Sequence, residues 1–526
     1  MKKNLWSALV ALVVGGVWYY FTLPAINLHS FGFWIWIFMM LGVFSLVNLF
    51  FDIDIRGRIP EVRKSVTIPF ISIVVCLLLI FIVNLVLSPV FQSKSYSNRI
   101  EIKEDGVFTE DVKEVDPTTL PLLDRDSSSK LGDRVMGQMP EMVSQFYVSD
   151  YYTQINFNNK IVRVTPLEYN GLFKYLNNRK NGVTGYITVN SVSGESKLVK
   201  LDKGMKYMPS AIFGEDLYRY LRFKYPLDVF GQENFEIDNS GNPYWIVPVI
   251  KYSGVGLKRD VSSVVILNPI TGESKKYKLE DVPTWVDHVF ESDLIMEQVD
   301  DWGSYRNGFL NSVFGQKNVV MTTTGYNYTV MNDDVYLYTG ITSVSNDEAN
   351  VGFIMSNMRT KETTYYSVPG AEEYSAMASA EGQVQQMKYT ATFPLLINLN
   401  NKPTYLISLK DNAGHVKQYA LVDVVDYQKV VVTDASLGIE KAFSNYLGDS
   451  LTEENESDLS KEIIVSKITS ASIDGTTYYY ITDTEGKKYS VSIKKNKNLL
   501  PFVEKDSKLT IFYRTEKEVT EITKIK

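Results

Sequence analysis

Two histidines, His288 and His415, are the only imidazole side chains beyond residue 92 and the first candidates for acid–base or metal chemistry. A zinc site needs three or four ligands, whereas these two lie far apart and no HExxH pattern occurs. A Ser-His-Asp triad stays open, because triads assemble in space, but no G-x-S-x-G elbow is present. Since His288 lies in the helix-like segment 280–315 and His415 in the turn "NAGHVK", we expect both on the surface.

Acidic and amide side chains gather at four places that could hold calcium. They are the pairs at 300–301 and 333–334, and the turns "DNSGN" (238–242) and "DTEG" (483–486). The spacing of an EF-hand loop is absent, and Asp, Asn and Gly are the residues that tight turns require. We therefore predict no catalytic residue, no metal site and no cofactor, and we expect a protein that is not an enzyme.

The composition is that of a folded protein rich in β-structure. With 526 residues the chain is long enough for several domains. Apolar residues make up 45% and charged residues 22%, as in ordinary folded proteins, and the 34 tyrosines favour pleated sheets. The net charge of −7 argues against a nucleic-acid partner, because neutralising phosphates requires clustered Lys and Arg.

Three uncharged stretches near the amino terminus predict three transmembrane helices. They are 5–26, 31–51 and 66–91, and each reaches the length of about 20 residues that crosses a bilayer core. The only cysteine, Cys76, lies in the third stretch. The remainder of the chain is thus free of thiols, which excludes a disulfide framework there and favours a Gram-positive envelope.

Lysine and arginine in the short loops predict how these helices are oriented. Lys2 and Lys3 precede the first span, and the loop 52–65 between the second and third spans carries four basic residues. The loop between the first two spans has none. Because basic loops stay in the cytoplasm, we predict a multi-pass cell-membrane protein with a cytoplasmic amino terminus and everything from about residue 92 outside.

One turn motif recurs along the outer portion. The segment "VNSVSGESKLVKL" (189–201) nearly repeats as "LNPITGESKKYKL" (267–279), and "FIMSNMRTKETTYYSV" (353–368) has Glu362 where the second copy has Glu273. Helix-like segments precede two of these copies. The pattern predicts an α+β repeat of helix, strand, turn, strand, turn and strand, since a three-stranded sheet can bury the apolar face of one helix.

Residues 233–279 resemble the PepSY module of secreted metallopeptidase propeptides and envelope proteins. The resemblance rests on "GNPYWIVPVIKY" followed by "VVILNPITGES", in which Thr271, Gly272 and Glu273 match the family's Thr-Gly-Glu. Residues 372–424 resemble a weaker second copy. The whole arrangement is also similar to a group of large membrane-anchored envelope proteins of Firmicutes. These resemblances imply a protein-binding or peptidase-restraining role.

The predicted fold is α+β, with tandem PepSY-like modules between the membrane helices and a small barrel. Five short strands after residue 462 are typical of an OB-like or SH3-like barrel. The predicted divisions are a membrane domain (1–91), a polar stalk (92–135), a first β-rich module (136–205), a PepSY-like module (206–300), a second β-rich and PepSY-like module (301–432), a helix with a linker (433–462) and the small barrel (463–526).

The function predicted from these features is binding or assembly in the cell envelope, without catalysis. Exposed sheet edges can accept an extended peptide, so we expect partner contacts on 243–279, at Tyr244, Trp245, Thr271, Gly272 and Glu273. The expected partners are the membrane itself and an envelope protein or peptide, and the oligomeric state stays open. The alternatives are a regulator that restrains an envelope hydrolase and an accessory subunit of a membrane complex.

Overall fold

The computed structural model describes residues 2–52, 64–344, 346–454, 459–473, 476–496, 499–513 and 519–525. It divides into two compact units, Met1–Ile439 and Glu440–Lys526. Each unit is described by itself below.

Three long apolar helices form the amino-terminal part of the first unit. They are α1 (Lys2–Thr22), α2 (Phe31–Asp52) and α3 (Lys64–Val86). Within the described residues, these are the three helices long and apolar enough to cross a membrane. Helix α1 lies against α2, where the Trp36 indole N–H donates to the Gly15 carbonyl oxygen at 2.9 Å. The predicted helices are therefore confirmed, with most of their apolar side chains turned outward.

The rest of the first unit consists of short helices and of strands in four sheets. The helices are α4 (Pro89–Ser97), α5 (Phe108–Asp111), α6 (Arg125–Gly137), α7 (Pro140–Val143), α8 (Leu172–Asn178), α9 (Leu217–Lys224), α10 (Ser292–Tyr305) and α11 (Glu373–Gln383). The strands are β1 (Ile102–Gly106), β2 (Phe146–Val148), β3 (Thr153–Phe157), β4 (Lys160–Tyr169), β5 (Val183–Asn190), β6 (Ser196–Met205), β7 (Val229–Phe230), β8 (Asn234–Ile237), β9 (Pro243–Lys251), β10 (Asp260–Leu267), β11 (Ser274–Lys278), β12 (Val320–Thr322), β13 (Asn327–Met331), β14 (Asp334–Ser343), β15 (Asn346–Asn357), β16 (Thr363–Tyr366), β17 (Gly370–Ala371), β18 (Thr390–Ala391), β19 (Leu395–Leu399), β20 (Lys402–Lys410), β21 (Val416–Asp423) and β22 (Val430–Asp434).

All four sheets follow one order of elements, so the unit contains four structural repeats. In each, a helix precedes two short strands that both pair antiparallel with the next, longer strand, and two further antiparallel strands complete the sheet. We name them repeat 1 (125–205), repeat 2 (217–278), repeat 3 (292–366) and repeat 4 (373–434). Their sheets run β2-β4-β5-β6, β7-β9-β10-β11, β12-β14-β15-β16 and β18-β20-β21-β22, with β3, β8, β13 and β19 beside the second strand of each.

The first tight turn of the repeat uses residues that tolerate a left-handed backbone. The two central residues at 158–159, 332–333 and 400–401 all have φ between +50° and +69°. Such hairpin turns require positive φ at both central positions, which Asn and Asp adopt more readily than other side chains. Each pair consists of Asn and Asp residues only. Repeat 2 has a longer turn here and uses Gly241, at φ +83°.

The second turn explains the motif found in the sequence. Asn190, Asn268 and Asn357 each accept hydrogen bonds through the side-chain oxygen from the backbone N–H groups two and three residues ahead, at 2.9 to 3.1 Å. Asp423 does the same in repeat 4, at 2.9 and 3.0 Å. This Asx turn closes the hairpin in all four repeats, so the motif marks a structural turn.

The sheet of repeat 2 is buried on both faces, and it separates two hydrophobic clusters. Along β9, Trp245 and Val247 point into a cluster shared with repeat 1, whereas Ile246 and Ile250 point into a cluster shared with repeat 3. Side chains alternate between the faces of a strand, and a strand covered on both sides reads as a continuous apolar run. "WIVPVI" within β9 is such a run.

Residues 92–135, expected to form a polar stalk, contribute to the repeats. Strand β1 pairs in parallel with β16 and thereby extends the sheet of repeat 3. The Val115 N–H donates to the Asn398 carbonyl oxygen at 2.9 Å, and the Asn398 side chain donates to Val112 at 2.7 Å. Helix α6 lies against β5 and β6.

Repeat 2 contacts the membrane helices at one end. The Asn84 side chain of α3 donates to the Val255 carbonyl oxygen at 3.0 Å and accepts from the Val255 N–H at 2.9 Å. In the loop between α1 and α2, His29 Nδ1 lies 2.6 Å from the Gly254 carbonyl oxygen, and the Ile26 N–H donates to Pro226 at 2.8 Å. The loop 23–30 and the end of α3 are therefore on the same side as the repeats.

This docking leads to a first prediction, at Gly256. Gly256 has φ +69°, and a Cβ there would lie 2.1 Å from the Phe31 ring. We expect Gly256→Ala to reduce the free energy of unfolding by roughly 1–3 kcal/mol, because it adds left-handed strain and a clash. The measurement is the apparent melting temperature of the full-length protein in detergent.

The matched control is Gly438→Ala. Gly438 has φ +84°, but a Cβ there would meet nothing within 4 Å. It therefore carries the backbone strain without the clash, and we expect a smaller decrease. Equal decreases for both variants would contradict the proposed close contact with Phe31.

The second unit is a half-barrel with its own small core. Helix α12 (Ile439–Glu454) precedes β23 (Leu459–Ile473), β24 (Thr476–Asp483), β25 (Lys488–Ser492), β26 (Lys508–Tyr513), β27 (Val519–Glu521) and β28 (Lys524–Ile525). The strand order is β27-β25-β24-β23-β26-β28. The first half of β23 pairs with β26 and its second half with β24, and Val465, Ile511 and Leu500 are buried between them. The predicted α+β class is thus confirmed, and the predicted small barrel is seen as a half-barrel, with six strands among its described residues instead of five.

Candidate functional site

Tyr244 and Trp245, predicted to contact a partner, lie on β9 in the middle of a sheet. Trp245 is completely buried, and its indole N–H donates to the Tyr207 carbonyl oxygen at 3.0 Å. The ring of Tyr244 packs against Trp285, with 5.0 Å between the ring centroids. Trp245 therefore contributes to the core of repeats 1 and 2, and a partner-binding role for the pair stays a prediction.

Thr271, Gly272 and Glu273 form the Asx turn between β10 and β11. Gly272 has φ +74°, and its carbonyl oxygen accepts from the Tyr220 hydroxyl at 2.6 Å. The side chains of Thr271 and Glu273 are exposed. The adjacent strand β11 is an edge of its sheet and carries three lysines. Since lysine on an edge discourages pairing with another strand, this edge is a poor template for strand addition.

A cavity of about 450 Å³ lies where the four repeats meet. Gln154 and Arg163 from repeat 1, Asn234 from repeat 2, Tyr328 from repeat 3 and Phe393 from repeat 4 all line it. Its volume falls within the range of roughly 300–1,000 Å³ that is usual for pockets that bind small molecules. Because its wall draws on all four repeats, we take this cavity as the candidate site.

Arg163 is the only described cation buried in the wall of this cavity. It lies in the middle of β4 with 6% of its surface exposed. Within the described residues it has no ion pair, and its Nε has no hydrogen-bond partner. Burial lowers the pKa of the guanidinium to about 10. Asp124, which also lines the cavity, is bonded instead to Lys410 and to the Ser127 N–H.

Gln154 and His288 extend this polar wall. Gln154 pairs directly with Arg163 across β3 and β4, and its side-chain Nε2 has no partner among the described residues. His288 Nε2 lies 2.6 Å from the Gln154 carbonyl oxygen. Burial lowers the pKa of His288 to about 4, so the neutral ring donates from Nε2 to this oxygen.

The two histidines have different surroundings from those we expected. His288 is buried and lies outside any helix, because α10 begins only at Ser292. The expectation of a helix-surface position for His288 was wrong. The apolar residues of this segment, such as Val286 and Val289, are buried in the core from a loop and do not form one face of a helix. His415 lies exposed in a turn, as predicted.

A buried pair of carboxylic acids lies behind His288. Glu236 accepts hydrogen bonds from the backbone N–H groups of Asp287 and His288, at 2.8 and 2.9 Å. Asp287 accepts from the Asn156 N–H at 2.7 Å. Burial raises the pKa of Glu236 to about 8, and burial together with the charge of Glu236 raises the pKa of Asp287 well above its usual range.

This pair leads to a second prediction, on pH dependence. An acid whose pKa is raised by folding stabilises the fold below its unfolded pKa, near 4, and this stability is lost as pH rises through the folded value. For Glu236 this loss of stability is expected between pH 4.5 and about pH 8, because burial raises its pKa from 4.5 to about 8. Asp287→Asn keeps an oxygen to accept from Asn156 but removes one acid. We expect the variant to lose less stability than the wild type between pH 4.5 and 8.

The measurement is the apparent melting temperature across this pH range. The control is Asp202→Asn, at an exposed position on β6. It should shift the curve by a constant amount, if at all. Parallel curves for Asp287→Asn and the wild type would contradict the assignment.

The acidic groups considered for calcium are occupied by protein donors. Asp300 accepts from the Thr322 N–H at 2.7 Å, and Asp301 pairs with Arg99. Asp334 pairs with Arg359 at 2.7 Å. Asp238 closes its own turn by accepting from the backbone of residues 240 and 242. Among the described residues, no three His, Cys, Asp or Glu side chains gather as a metal site would require.

Sequence reasoning did not single out Arg163 or Gln154. The available signal was a charge inside the otherwise apolar run "IVRVTPL" of β4. A lone arginine in a strand buried on both faces needs compensation for its charge, so its side chain must pair with a carboxylate or reach a cavity. Which of the two applies depends on repeats 2 to 4, far away in the sequence.

Comparison with known proteins gives no relationship from which a function could be transferred. No protein-family model matches the chain, and no curated protein matches it.

Proposed function

We propose that the chain is a membrane-anchored protein without catalytic activity that binds a partner in the cell envelope, on the extracytoplasmic side. The observation that carries this proposal is the cavity at the meeting point of the four repeats. Its wall combines aromatic side chains with a larger number of charged and amide groups, so it can offer a ligand both an apolar surface and specific polar contacts.

The extracytoplasmic orientation is supported by contacts and charges together. Because the loop 23–30 and Asn84 contact repeat 2, the other ends of the three helices face away from the repeats. In the sequence, Lys2 and Lys3 and the basic residues between α2 and α3 adjoin these other ends. Basic loops stay in the cytoplasm, so the cavity would open outside the cell.

Cysteine labelling tests this orientation. In a Cys76→Ala background, Ser193→Cys places a thiol in an exposed turn of repeat 1, and Ile59→Cys places one in the basic loop. On intact cells that lack an outer barrier, a membrane-impermeant maleimide should label the first variant and not the second. After lysis both should react. Labelling of only Ile59→Cys in intact cells would overturn the orientation.

We further propose that the repeats are PepSY-like and that the half-barrel is an OB-like or SH3-like module. The helix followed by an antiparallel sheet in each repeat, and the Thr-Gly-Glu turn at 271–273, support the first proposal. The bent strand β23, which pairs with two different partners, supports the second. Regulation of an envelope hydrolase and service as an accessory subunit stay alternative roles.

A further inference from the structure

We propose that the cavity binds a short peptide with a free carboxyl terminus, whose carboxylate pairs with Arg163. This inference rests on the proposed function of a binding protein and names the ligand class for the same site. The ligand is defined by chemistry alone: a terminal carboxylate, an organic body a few residues long, and a positively charged amino end.

The first argument is the charge of Arg163. Guanidinium groups are almost never fully buried without a partner, because losing water costs several kcal/mol per ion by order of magnitude. Arg163 has 6% of its surface exposed and no ion pair among the described residues. Its group faces a cavity instead. A carboxylate is the group that compensates such a charge best, because it accepts two parallel hydrogen bonds from the planar fork.

The second argument is the set of neutral groups around the arginine. The unpartnered Nε2 of Gln154 lies on the neighbouring strand, and it can donate to a carboxylate held by Arg163. His288 cannot compete as a charged group, since burial lowers its pKa to about 4. The carboxylate of Asp124 also lines the cavity, but it is already paired with Lys410. The deep end therefore keeps the positive charge of Arg163 and the amide donor of Gln154, which is a site for a single anionic group.

The third argument is the rest of the wall. The rings of Phe290, Tyr326, Tyr328 and Phe393 line the cavity, and they give an organic body apolar surface to pack against. This excludes small inorganic anions as good occupants, because they would leave most of the 450 Å³ to water.

The fourth argument is the charge at the exposed side of the cavity. Asp150, Asp293 and Arg125 line it and are exposed, and neither aspartate has an ion pair among the described residues. Arg125 donates to the Asp150 backbone carbonyl oxygen at 2.5 Å. Two carboxylates against one guanidinium leave this side with a net negative charge, which favours a cation on the ligand. A peptide with free ends fits this arrangement. Its carboxylate would pair with the buried Arg163, and its amino group would lie near the carboxylates at the exposed side.

Equilibrium dialysis of the purified full-length protein in detergent tests the proposal. The probe is a mixture of tripeptides randomised at all three positions, and its carboxy-terminally amidated counterpart is the comparison. We expect the wild type to retain the free-acid mixture and to retain the amidated mixture at least about tenfold less, as when a buried charge loses its partner. Equal retention of the two mixtures, or no retention of either, would overturn the proposal.

The variants are Arg163→Met and, as a matched control, Arg179→Met at the exposed residue that follows α8. Arg163→Met should abolish selective retention, and Arg179→Met should leave it unchanged. Replacing a buried charge by an apolar side chain of similar size is often stabilising. We therefore expect Arg163→Met to raise the apparent melting temperature without ligand. The free-acid mixture should raise the melting temperature of the wild type and of Arg179→Met, but not that of Arg163→Met.

A purely structural arginine would behave differently. Its removal would lower the melting temperature, and the tripeptides would not raise that of the wild type; this outcome would refute the ligand site. Because the measurement uses purified protein, it does not depend on orientation. If no peptide bound, the orientation measured by maleimide labelling would still hold. If the labelling showed the repeats inside the cell, peptide binding by the purified protein would still hold.

Discussion

Replacing Trp245 by alanine is expected to reduce the free energy of unfolding by about 3–5 kcal/mol, the range for a fully buried aromatic side chain. The indole is completely buried and packs edge-on against Phe235 and Tyr151, with ring centroids 5.3 and 5.5 Å away. The variant loses these contacts and also leaves the Tyr207 carbonyl oxygen without its donor. Because this core joins repeats 1 and 2, we expect both to be destabilised together.

The measurement is thermal unfolding of the full-length protein in detergent, with proteolysis as a second readout. The control is Phe173→Ala, since Phe173 is an aromatic residue on α8 of repeat 1 that is 77% exposed. We expect it to change stability by less than about 0.5 kcal/mol, as surface substitutions do. If Trp245→Ala lost partner binding but kept the stability of the wild type, the surface role predicted from sequence would be right and the buried position wrong.

Arg99→Met is expected to reduce the free energy of unfolding by about 3–5 kcal/mol. Removing one partner of a buried ion pair leaves the other charge buried without compensation. Arg99 has only 3% of its side chain exposed and pairs with Glu297 at 2.8 Å and with Asp301. It also donates to the Arg259 carbonyl oxygen at 2.6 Å. This cluster holds the chain just after the third span against α10.

The loss should depend on pH in a defined direction. Burial raises the pKa of Asp301 to about 6, even with Arg99 beside it. Without the arginine this pKa rises further, so the folded variant has to take up a proton that the unfolded chain does not hold at neutral pH. Such a group stabilises the fold at low pH and loses that stability as pH rises through its folded pKa. We therefore expect a larger deficit at pH 8 than at pH 5.

Lys103→Met is the matched control for this variant. Lys103 pairs with Glu362 on the surface, where the side chains are 58% and 55% exposed. Exposed pairs contribute about 0–1 kcal/mol, so this variant should lose little stability at either pH. Comparable losses for both variants, or a deficit for Arg99→Met that does not change with pH, would contradict the buried cluster.

The sequence indicated a recurring hairpin where the turns contain the same residues, but the expected three-stranded module is a sheet of at least five strands in the structure. Asn190 and Asn268 are each followed by a Gly-Glu-Ser turn, so the two hairpins could be aligned, and Glu362 extended the alignment to repeat 3. Repeat 4 closes its Asx turn with "DVVDYQK" around Asp423, which shares only the acceptor side chain. The recurring requirement is one oxygen that caps two backbone N–H groups, and several sequences can meet it.

Helix α6 was not predicted, for a physical reason. Its sequence "RDSSSKLGDRVMG" buries large apolar side chains only near its end, at Val135 and Met136, whereas the earlier part of the buried face consists of small residues. Ser128 and Gly132 are buried, and a Cβ on Gly132 would come within 2.0 Å of the Tyr152 hydroxyl. Asp124 caps the helix by accepting from the Ser127 N–H at 2.9 Å. Here the small residues let the side chain of Tyr152 come close to the helix backbone, and a search for periodic large apolar residues does not detect such a contact.

The candidate site was beyond sequence reasoning because it is assembled from distant segments. Arg163 and Phe393 line the same cavity although 230 positions separate them. The aromatic pair at 244–245 attracted attention instead, since aromatic residues are common at interfaces. An apolar run with buried side chains on both faces of a sheet has the same composition, and only the structure distinguishes the two cases.

The docking of repeat 2 on the membrane helices has a mechanical consequence. His29 and Asn84 bond directly to the loop 254–255, and repeat 2 also lends Asn234 to the wall of the cavity. No slack chain separates helices α1 and α3 from that wall. Tilting of these helices and occupancy of the cavity are therefore linked, and any coupling free energy between them acts equally in both directions.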